Sequence, residues 1–119
     1  MAARFELVVD HAGRFHFQLR SPAGCVLLRS VAAPTKVEAQ ADIRSLRTAL
    51  RDPARIGPWQ GADGFLRILV TGPDGSLLAK SPRLNDMKMV PRVAGYIRAA
   101  IEDAPVIDLT QHDTQAAAH

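Results

Sequence analysis

The chain has 119 residues, with 15 lysines and arginines against 12 aspartates and glutamates, and one cysteine. This length fits one compact domain, and an apolar fraction of 47% is ordinary for a globular protein, which excludes disorder throughout. The single cysteine excludes a disulfide scaffold, and no apolar run approaches the roughly 18 residues of a membrane helix. The N-terminus lacks the apolar core of a signal peptide, so we expect a cytoplasmic protein with no membrane partner.

The positive charge is concentrated in the first half of the sequence. Residues 1–57 hold nine basic and five acidic residues (+4), and residues 58–119 hold six and seven (−1), for a formal net charge of +3. So small an excess is common among basic soluble proteins, and it does not by itself indicate a nucleic-acid binder.

Alternating apolar residues predict three strands in the first half. Residues 5–10 and 14–20 place apolar side chains at every second position, as in a strand with one buried face. A Ser-Pro-Ala-Gly turn at 21–24 then leads into an apolar strand at 25–30.

A helix follows these strands. Thr35 and Glu38 form a capping box, in which each side chain satisfies an amide at the start of a helix. Apolar residues then recur at helical spacing, namely Ala39, Ile43, Leu46 and Leu50. Pro53 ends the helix, and a short strand is predicted at 54–59.

A shift of 51 residues aligns the second half with the first without gaps. Turn residues coincide, as in Pro22 with Pro73 and Gly24 with Gly75, and these fix backbone shape rather than composition. The alignment predicts strands at 65–71 and 76–81, a helix whose start Pro91 frays or delays, and a strand at 106–109. The apolar face of that helix consists of Val90, Ala94, Ile97 and Ile101.

These elements predict one two-layer α+β domain over residues 1–110. Two β3-α-β repeats, at about 4–54 and 55–109, share one antiparallel sheet that two helices cover on one face. Residues 111–119 lack periodicity, and we expect them to form a mobile tail.

Several short motifs keep their order and spacing along residues 4–110. They are Asp10-His11-Ala12-Gly13, Phe17-Gln18-Leu19-Arg20, Ile43-Arg44-Ser45-Leu46, Ala104-Pro105 and Asp108-Leu109-Thr110. In these motifs the chain resembles the YegP-like family, small uncharacterised bacterial proteins often built as tandem repeats. The resemblance implies β3-α-β repeats that share one sheet and exchange terminal strands, and it implies no settled activity. Ala23 and Asp42 depart from the family's Asn and Gly, and residues 30–33 and 81–84 replace a polar Ser-Glu-x-Tyr stretch.

The residue types that usually carry chemistry favour structural roles here. The four histidines, His11, His16, His112 and His119, lack the spacing of a zinc site, so we expect no metal and no cofactor. Cys25 begins an apolar strand, and we interpret it as a buried, inert thiol. Asp10, Asp63, Asp74 and Asp86 stand where aspartate serves turns and caps. No acid/base pair and no glycine-rich phosphate loop emerges, so we expect no enzyme.

One candidate surface is a stripe of arginines on the first helix. Arg44, Arg47 and Arg51 lie beside its apolar face and could hold phosphates. The alternative interpretation is a solvated flank whose aliphatic stems cover the edge of the core near a helix C-terminus. The equivalent positions of the second helix are Gly95, Arg98 and Glu102, so the stripe is not repeated.

The second candidate surface is the sheet face away from the helices. Its expected binding residues are Arg14, His16, Arg20, Phe65 and Arg67, mixed with Val8, Gln18 and Leu69. A mixed apolar and polar face can mark a partner surface, although one aromatic residue is too few for a single-strand binding platform.

The leading hypothesis is therefore a non-enzymatic protein that acts by protein–protein contact or self-association, as a homodimer, through the open sheet face or an edge strand. The alternative is anion or nucleic-acid binding through the stripe of the first helix, which is less favoured.

Overall fold

The computed structural model describes residues 3–110, so the predicted tail at 111–119 lies outside the described part of the chain. Within residues 3–110, seven strands form one sheet and two α-helices lie on it. The strands are β1 (Arg4–Val9), β2 (Phe15–Arg20), β3 (Val26–Ser30), β4 (Ile56–Gln60), β5 (Leu66–Thr71), β6 (Leu77–Lys80) and β7 (Val106–Asp108). The helices are α1 (Lys36–Ala49) and α2 (Met89–Ile101), and a 3-10 turn at Pro53–Arg55 leads into β4. The α+β class is confirmed.

The strand order places the two third strands at the centre of the sheet. The order is β4-β5-β6-β3-β2-β1-β7, and β3 pairs with β6. All pairs are antiparallel except that β7 runs parallel to β1, with Phe5 opposite Val106. The prediction of a wholly antiparallel sheet is therefore wrong at this edge. β7 follows α2 and pairs with β1, the first strand of the chain, so the two parallel neighbours are far apart in the sequence.

The core lies between the sheet and the two helices. Alternation turns Phe5 and Phe17 inward, where they are fully buried and meet edge to face at 5.7 Å. The helices bury the apolar faces that their spacing predicts, including Leu46 of α1 and Ile97 of α2, both with no exposed surface. Because the helices cover only this face, the side chains on the opposite face of the sheet are not packed into the core between sheet and helices.

Both helix starts follow the local signals. The Thr35 hydroxyl accepts a hydrogen bond from the Glu38 backbone N–H at 3.1 Å. The offset of 51 would start α2 at Met87, yet the helix begins at Met89, with Pro91 in its first turn. The predicted delay is confirmed, because proline fits the first turn of a helix, where no N–H partner is needed.

Turns and buried hydroxyls recur 51 residues apart. Gly24 and Gly75 both have positive φ and close the hairpins of β2–β3 and β5–β6. The buried hydroxyl of Ser30 accepts from the Phe17 N–H, and that of Ser81 accepts from the Ile68 N–H, each at 2.8 Å. Each hydroxyl therefore completes the hydrogen bonding of a central strand.

Between residues 3 and 110, neither helix combines the length and the apolarity needed to cross a bilayer.

Candidate functional site

One face of the sheet carries no helix in residues 3–110. Its side chains are the alternate residues that do not point into the core, and strand registers place them side by side. Those that bear on binding are Glu6, His16, Gln18, Arg20, Arg29, Trp59, Arg67, Leu69 and Lys80. This open face is the second surface that the sequence indicated.

At the β1–β2 end, two arginines of this face are paired with one neighbouring carboxylate. Glu6 accepts from Arg20 Nε at 2.6 Å and from Arg4 Nε at 3.1 Å. Burial alone would raise the pKa of Glu6, but the hydrogen bonds and charges of the two arginines outweigh it and hold this pKa below its ordinary value. Arg20 is thus engaged within the protein and is a poor candidate for holding a ligand.

His16 is also engaged, at the rim of this end. Its Nε2 lies 2.8 Å from Asp10 Oδ2, and the hydrogen bond from His16, followed by the Arg14 backbone N–H, lowers the pKa of Asp10. Arg14 is exposed just before β2. The structure therefore brings Arg14, His16 and Arg20 to one end of the face, where carboxylates hold two of them.

The centre of the face is different, because four cations meet there and only one of them, Arg67, has a carboxylate partner among the described residues. Arg29 of β3 lies directly opposite Lys80 of β6 in the strand register. These two side chains, with Arg67 of β5 and Arg83 after β6, line a hollow of about 340 Å³. Among the described residues, no carboxylate pairs with Arg29, Lys80 or Arg83. We call this feature the cationic hollow.

Two of the four cations are held in place by neighbours. Arg67 donates to both carboxylate oxygens of Asp63, at 3.0 and 3.4 Å, and this bond, with the Phe65 backbone N–H, lowers the pKa of Asp63. The Arg83 guanidinium lies over the Phe65 ring, 4.4 Å from its centroid. Of the predicted residues, Arg67 therefore lines the cationic hollow, and Phe65 supports it from outside through Arg83.

Like charges directly opposite each other in a sheet are destabilising. The Arg29–Lys80 pair breaks this rule at the centre of the sheet. Deviations from local rules that no neighbour compensates tend to occur at functional sites.

The first-helix stripe is not a set of three free arginines. Arg47 donates to the backbone carbonyls of Ile101 and Ala104, both at 2.6 Å, and its guanidinium lies 5.0 Å from the centroid of the Phe5 ring. It thus caps the C-terminal end of α2 and holds the turn into β7. Arg44 and Arg51 are exposed. The phosphate-binding interpretation therefore loses its central residue.

The prediction for Cys25 is wrong. The thiol is exposed, because β3 begins at Val26 and Cys25 still belongs to the hairpin turn. Its backbone closes that turn, since its N–H donates to the Ser21 hydroxyl at 3.1 Å and its carbonyl accepts from the Ser21 N–H.

The turn roles of the aspartates are confirmed. Side-chain oxygens of Asp10, Asp63, Asp74 and Asp86 each accept a backbone N–H two residues further on. Over residues 3–110, no three histidine, cysteine, aspartate or glutamate side chains are grouped so that they could hold a metal ion. His112 and His119 lie outside this range.

The edge strand β4 is protected against pairing. Gly61 donates to the Phe65 carbonyl, so the alternate residues of β4 bond to β5 and Pro58 faces the outer edge. Proline has no N–H to offer there, which blocks the addition of a further strand. This argues against the edge-strand form of the contact hypothesis at β4.

Sequence reasoning missed Arg29, Lys80 and Arg83. The available signal was the pairing of Arg29 with Lys80 at the 51-residue offset, both in the middle of third strands. The two residues become neighbours only because β3 lies beside β6, and this strand order cannot be inferred from local sequence patterns. Trp59 was missed too; it lies opposite Arg67 on the same face and is 47% exposed.

Comparison with known proteins identifies relatives of the fold. No family model and no curated protein matches the sequence. The solution NMR structure of yegP from E. coli, a protein of unknown function, is similar, with a TM-score of 0.83 and 20% identity over 92% of this chain and 94% of that chain. The solution NMR structure of the UPF0339 protein SO3888 from Shewanella oneidensis matches with a TM-score of 0.83 and 18% identity over 92% of each chain. The resemblance predicted from the motifs is thus confirmed at the level of the fold, which is that of the YegP-like proteins.

Proposed function

We propose that this protein is a non-enzymatic cytoplasmic binding protein that acts by protein–protein contact through the open face of its sheet. The observation that carries the proposal is the cationic hollow, where Arg29, Lys80 and Arg83 have no carboxylate partner among the described residues. Charge complementarity then selects a partner that presents acidic side chains.

A partner of another kind is favoured over a second copy of this chain. Two open faces packed against each other would bring two cationic hollows together, and like charges across an interface cost several kcal/mol. Pro58 blocks self-association through the outer edge of β4.

Nucleic acid remains the second candidate, and the structure weakens its predicted site. Arg47 is bound to two backbone carbonyls, which leaves Arg44 and Arg51 of the stripe. The experiment below therefore also measures binding of a nucleic acid.

We also propose that the fold is a tandem β3-α-β duplication. Support comes from features 51 residues apart, namely the positive-φ glycines at 24 and 75 and the buried hydroxyls of Ser30 and Ser81.

The test measures fluorescence anisotropy of a labelled decaglutamate peptide against the intact protein at several salt concentrations. We expect salt-sensitive binding that is lost in the double variant Arg29→Gln/Lys80→Gln. The matched control, Arg44→Gln/Arg51→Gln, removes the same charge from another surface and should bind as the parent does. No binding at low salt, or equal weakening in both variants, would overturn the proposal.

Two further readouts complete the test. A labelled ten-residue thymidine oligonucleotide that binds more tightly than decaglutamate would replace the proposal with the nucleic-acid alternative. Folding is checked by urea denaturation, and relief of the like-charge pair should leave the Arg29→Gln/Lys80→Gln variant as stable as the parent or more stable by about 0.2–1 kcal/mol.

A further inference from the structure

We propose that the cationic hollow binds a phosphoryl group, which is carried by a phosphorylated side chain of the protein partner. This inference rests on the proposed function. The acidic face of the partner would then be recognised through one modified residue rather than through carboxylates alone.

The charge of the hollow matches a dianion better than a carboxylate. Four cationic side chains line it, and the only carboxylate that pairs with any of them within residues 3–110 is Asp63, on Arg67. Three positive charges therefore remain. A carboxylate supplies one negative charge, whereas a phosphorylated side chain supplies about 1.5 to 2 near neutral pH.

The placement of the cations also suits a tetrahedral group. Arg29 and Lys80 project from opposed positions on the two central strands, and Arg67 and Arg83 come from β5 and from the segment after β6. The cations line the hollow from β3, β5, β6 and the segment after β6, and the three terminal oxygens of a phosphoryl group can pair with more of them than the two coplanar oxygens of a carboxylate can. Guanidinium groups match phosphate geometry and can donate two bonds at once.

Several of these donors are fixed before a ligand arrives. Asp63 fixes Arg67, and the Phe65 ring supports the Arg83 guanidinium at 4.4 Å. Arg29 reaches the Gln18 side-chain oxygen at 3.4 Å. A site held on strands by such neighbours loses little freedom on binding.

The same surroundings argue against a nucleic-acid strand. A phosphate backbone needs a track of cations, yet toward β1 Glu6 pairs with Arg20 and Arg4, so the unpaired cations of the hollow do not continue along that side of the face. Base stacking needs open aromatic faces. Arg83 covers one side of the Phe65 ring, and the Trp59 ring packs on one side against Gly61, where a Cβ would be 2.8 Å from it, so each ring offers at most one face.

Three of the four cations of the hollow, Arg67, Lys80 and Arg83, come from the second half of the chain. The residues 51 positions before Phe65, Arg67 and Arg83 are Arg14, His16 and Ala32. The part of the face formed by the first half of the chain thus has no aromatic ring in place of Phe65 and no cation in place of Arg83. We therefore expect one phosphoryl site per chain, off the centre of the sheet and toward β5.

The experiment is an NMR titration of the isotope-labelled protein with two pentapeptides, Gly-Gly-phosphoserine-Gly-Gly and Gly-Gly-Glu-Gly-Gly. We expect the phosphopeptide to bind at least about tenfold more tightly, which is the size of one added hydrogen bond to a charged group. Shifts should be concentrated at the arginine Nε–Hε signals of Arg29, Arg67 and Arg83. The Arg29→Gln/Lys80→Gln variant should reduce phosphopeptide binding to the level of the glutamate peptide, and the Arg44→Gln/Arg51→Gln control should not.

Phe65 is assigned as a positioning residue, and its test has a spectroscopic readout. In the free protein, the Arg83 Nε–Hε signal should show an upfield ring-current shift that Phe65→Leu removes, together with part of the phosphopeptide affinity. An Arg83 signal that is unchanged by this substitution would overturn the assignment.

The outcomes separate this inference from the proposed function. If decaglutamate binds the open face but the two pentapeptides bind equally, the phosphoryl inference is wrong and the acidic-partner proposal stands. If the phosphopeptide binds and decaglutamate does not, the acidic-partner proposal is wrong. Phosphopeptide shifts that fall on α1 instead of the hollow would overturn the assigned site.

Discussion

Replacing Arg47 with alanine tests whether this residue is structural or part of a binding stripe. In the folded protein its guanidinium bridges the carbonyls of Ile101 and Ala104, 54 and 57 residues away in the sequence, and lies over Phe5. Arg47→Ala removes all three contacts and leaves the last turn of α2 and the entry to β7 without their donor.

The expected loss follows from those contacts. Each hydrogen bond contributes about 1 kcal/mol net, and the contact with the ring adds about 0.5–1 kcal/mol. The variant should therefore lose about 3 kcal/mol. For a chain of this length that corresponds to a drop in Tm of roughly 10–20 °C. Arg47→Lys should lose about half as much, since one ammonium group keeps the charge but cannot span both carbonyls as a guanidinium does.

Urea denaturation followed by circular dichroism measures the effect as a lower midpoint at an unchanged slope. The matched controls are Arg44→Ala and Arg51→Ala on the same helix, whose side chains are exposed and should change stability by no more than about 0.5 kcal/mol. The structural assignment is refuted if Arg47→Ala is no more destabilising than Arg51→Ala.

Four further predictions address other features of the fold. Ser30→Ala and Ser81→Ala should each cost about 1–3 kcal/mol in urea unfolding, because a buried backbone N–H loses its acceptor; a neutral effect at either site would contradict the assigned bonds. Pro58→Val should give β4 an edge N–H and cause concentration-dependent association in light scattering, whereas association equal to that of the parent would show that proline does not protect this edge. The folded-state pKa of Glu6 is depressed, so its stabilising contribution is present above the unfolded pKa near 4.5 and is lost as pH falls through the lower folded value; Glu6→Gln should flatten this acid-side loss in urea midpoints, and parallel pH profiles would contradict it. Cys25 should react with Ellman's reagent in the native protein, and a requirement for denaturant would contradict its exposure.

Most of the fold could be predicted because its signals are local. Alternation places Phe5 and Phe17 in the core, the Thr35 capping box starts α1, and paired glycines close the hairpins. Each of these depends on residues within a few positions of one another. The parallel edge was predicted wrongly, because the direction of β7 depends on where α2 delivers the chain and not on the composition of the strand.

The site was predicted only in part, because it depends on contacts between distant segments. Phe65 and Arg67 were identified from their strand, whereas Arg29 and Lys80 become neighbours only when β3 pairs with β6. The contacts of Arg47 could not be predicted for the same reason, since its partners lie more than 50 residues away. A helical wheel shows which side of a helix a residue occupies. It does not show which distant segments of the chain pack against that side.

Arginine footprinting shows which surface of the protein contacts an acidic partner. The protein is modified with phenylglyoxal in the presence and absence of saturating decaglutamate peptide, and modified sites are mapped by mass spectrometry. The account predicts that the peptide protects Arg29 and Arg83 while Arg44 and Arg51 react as in the free protein. Protection of the α1 arginines with an unprotected Arg29 would contradict it.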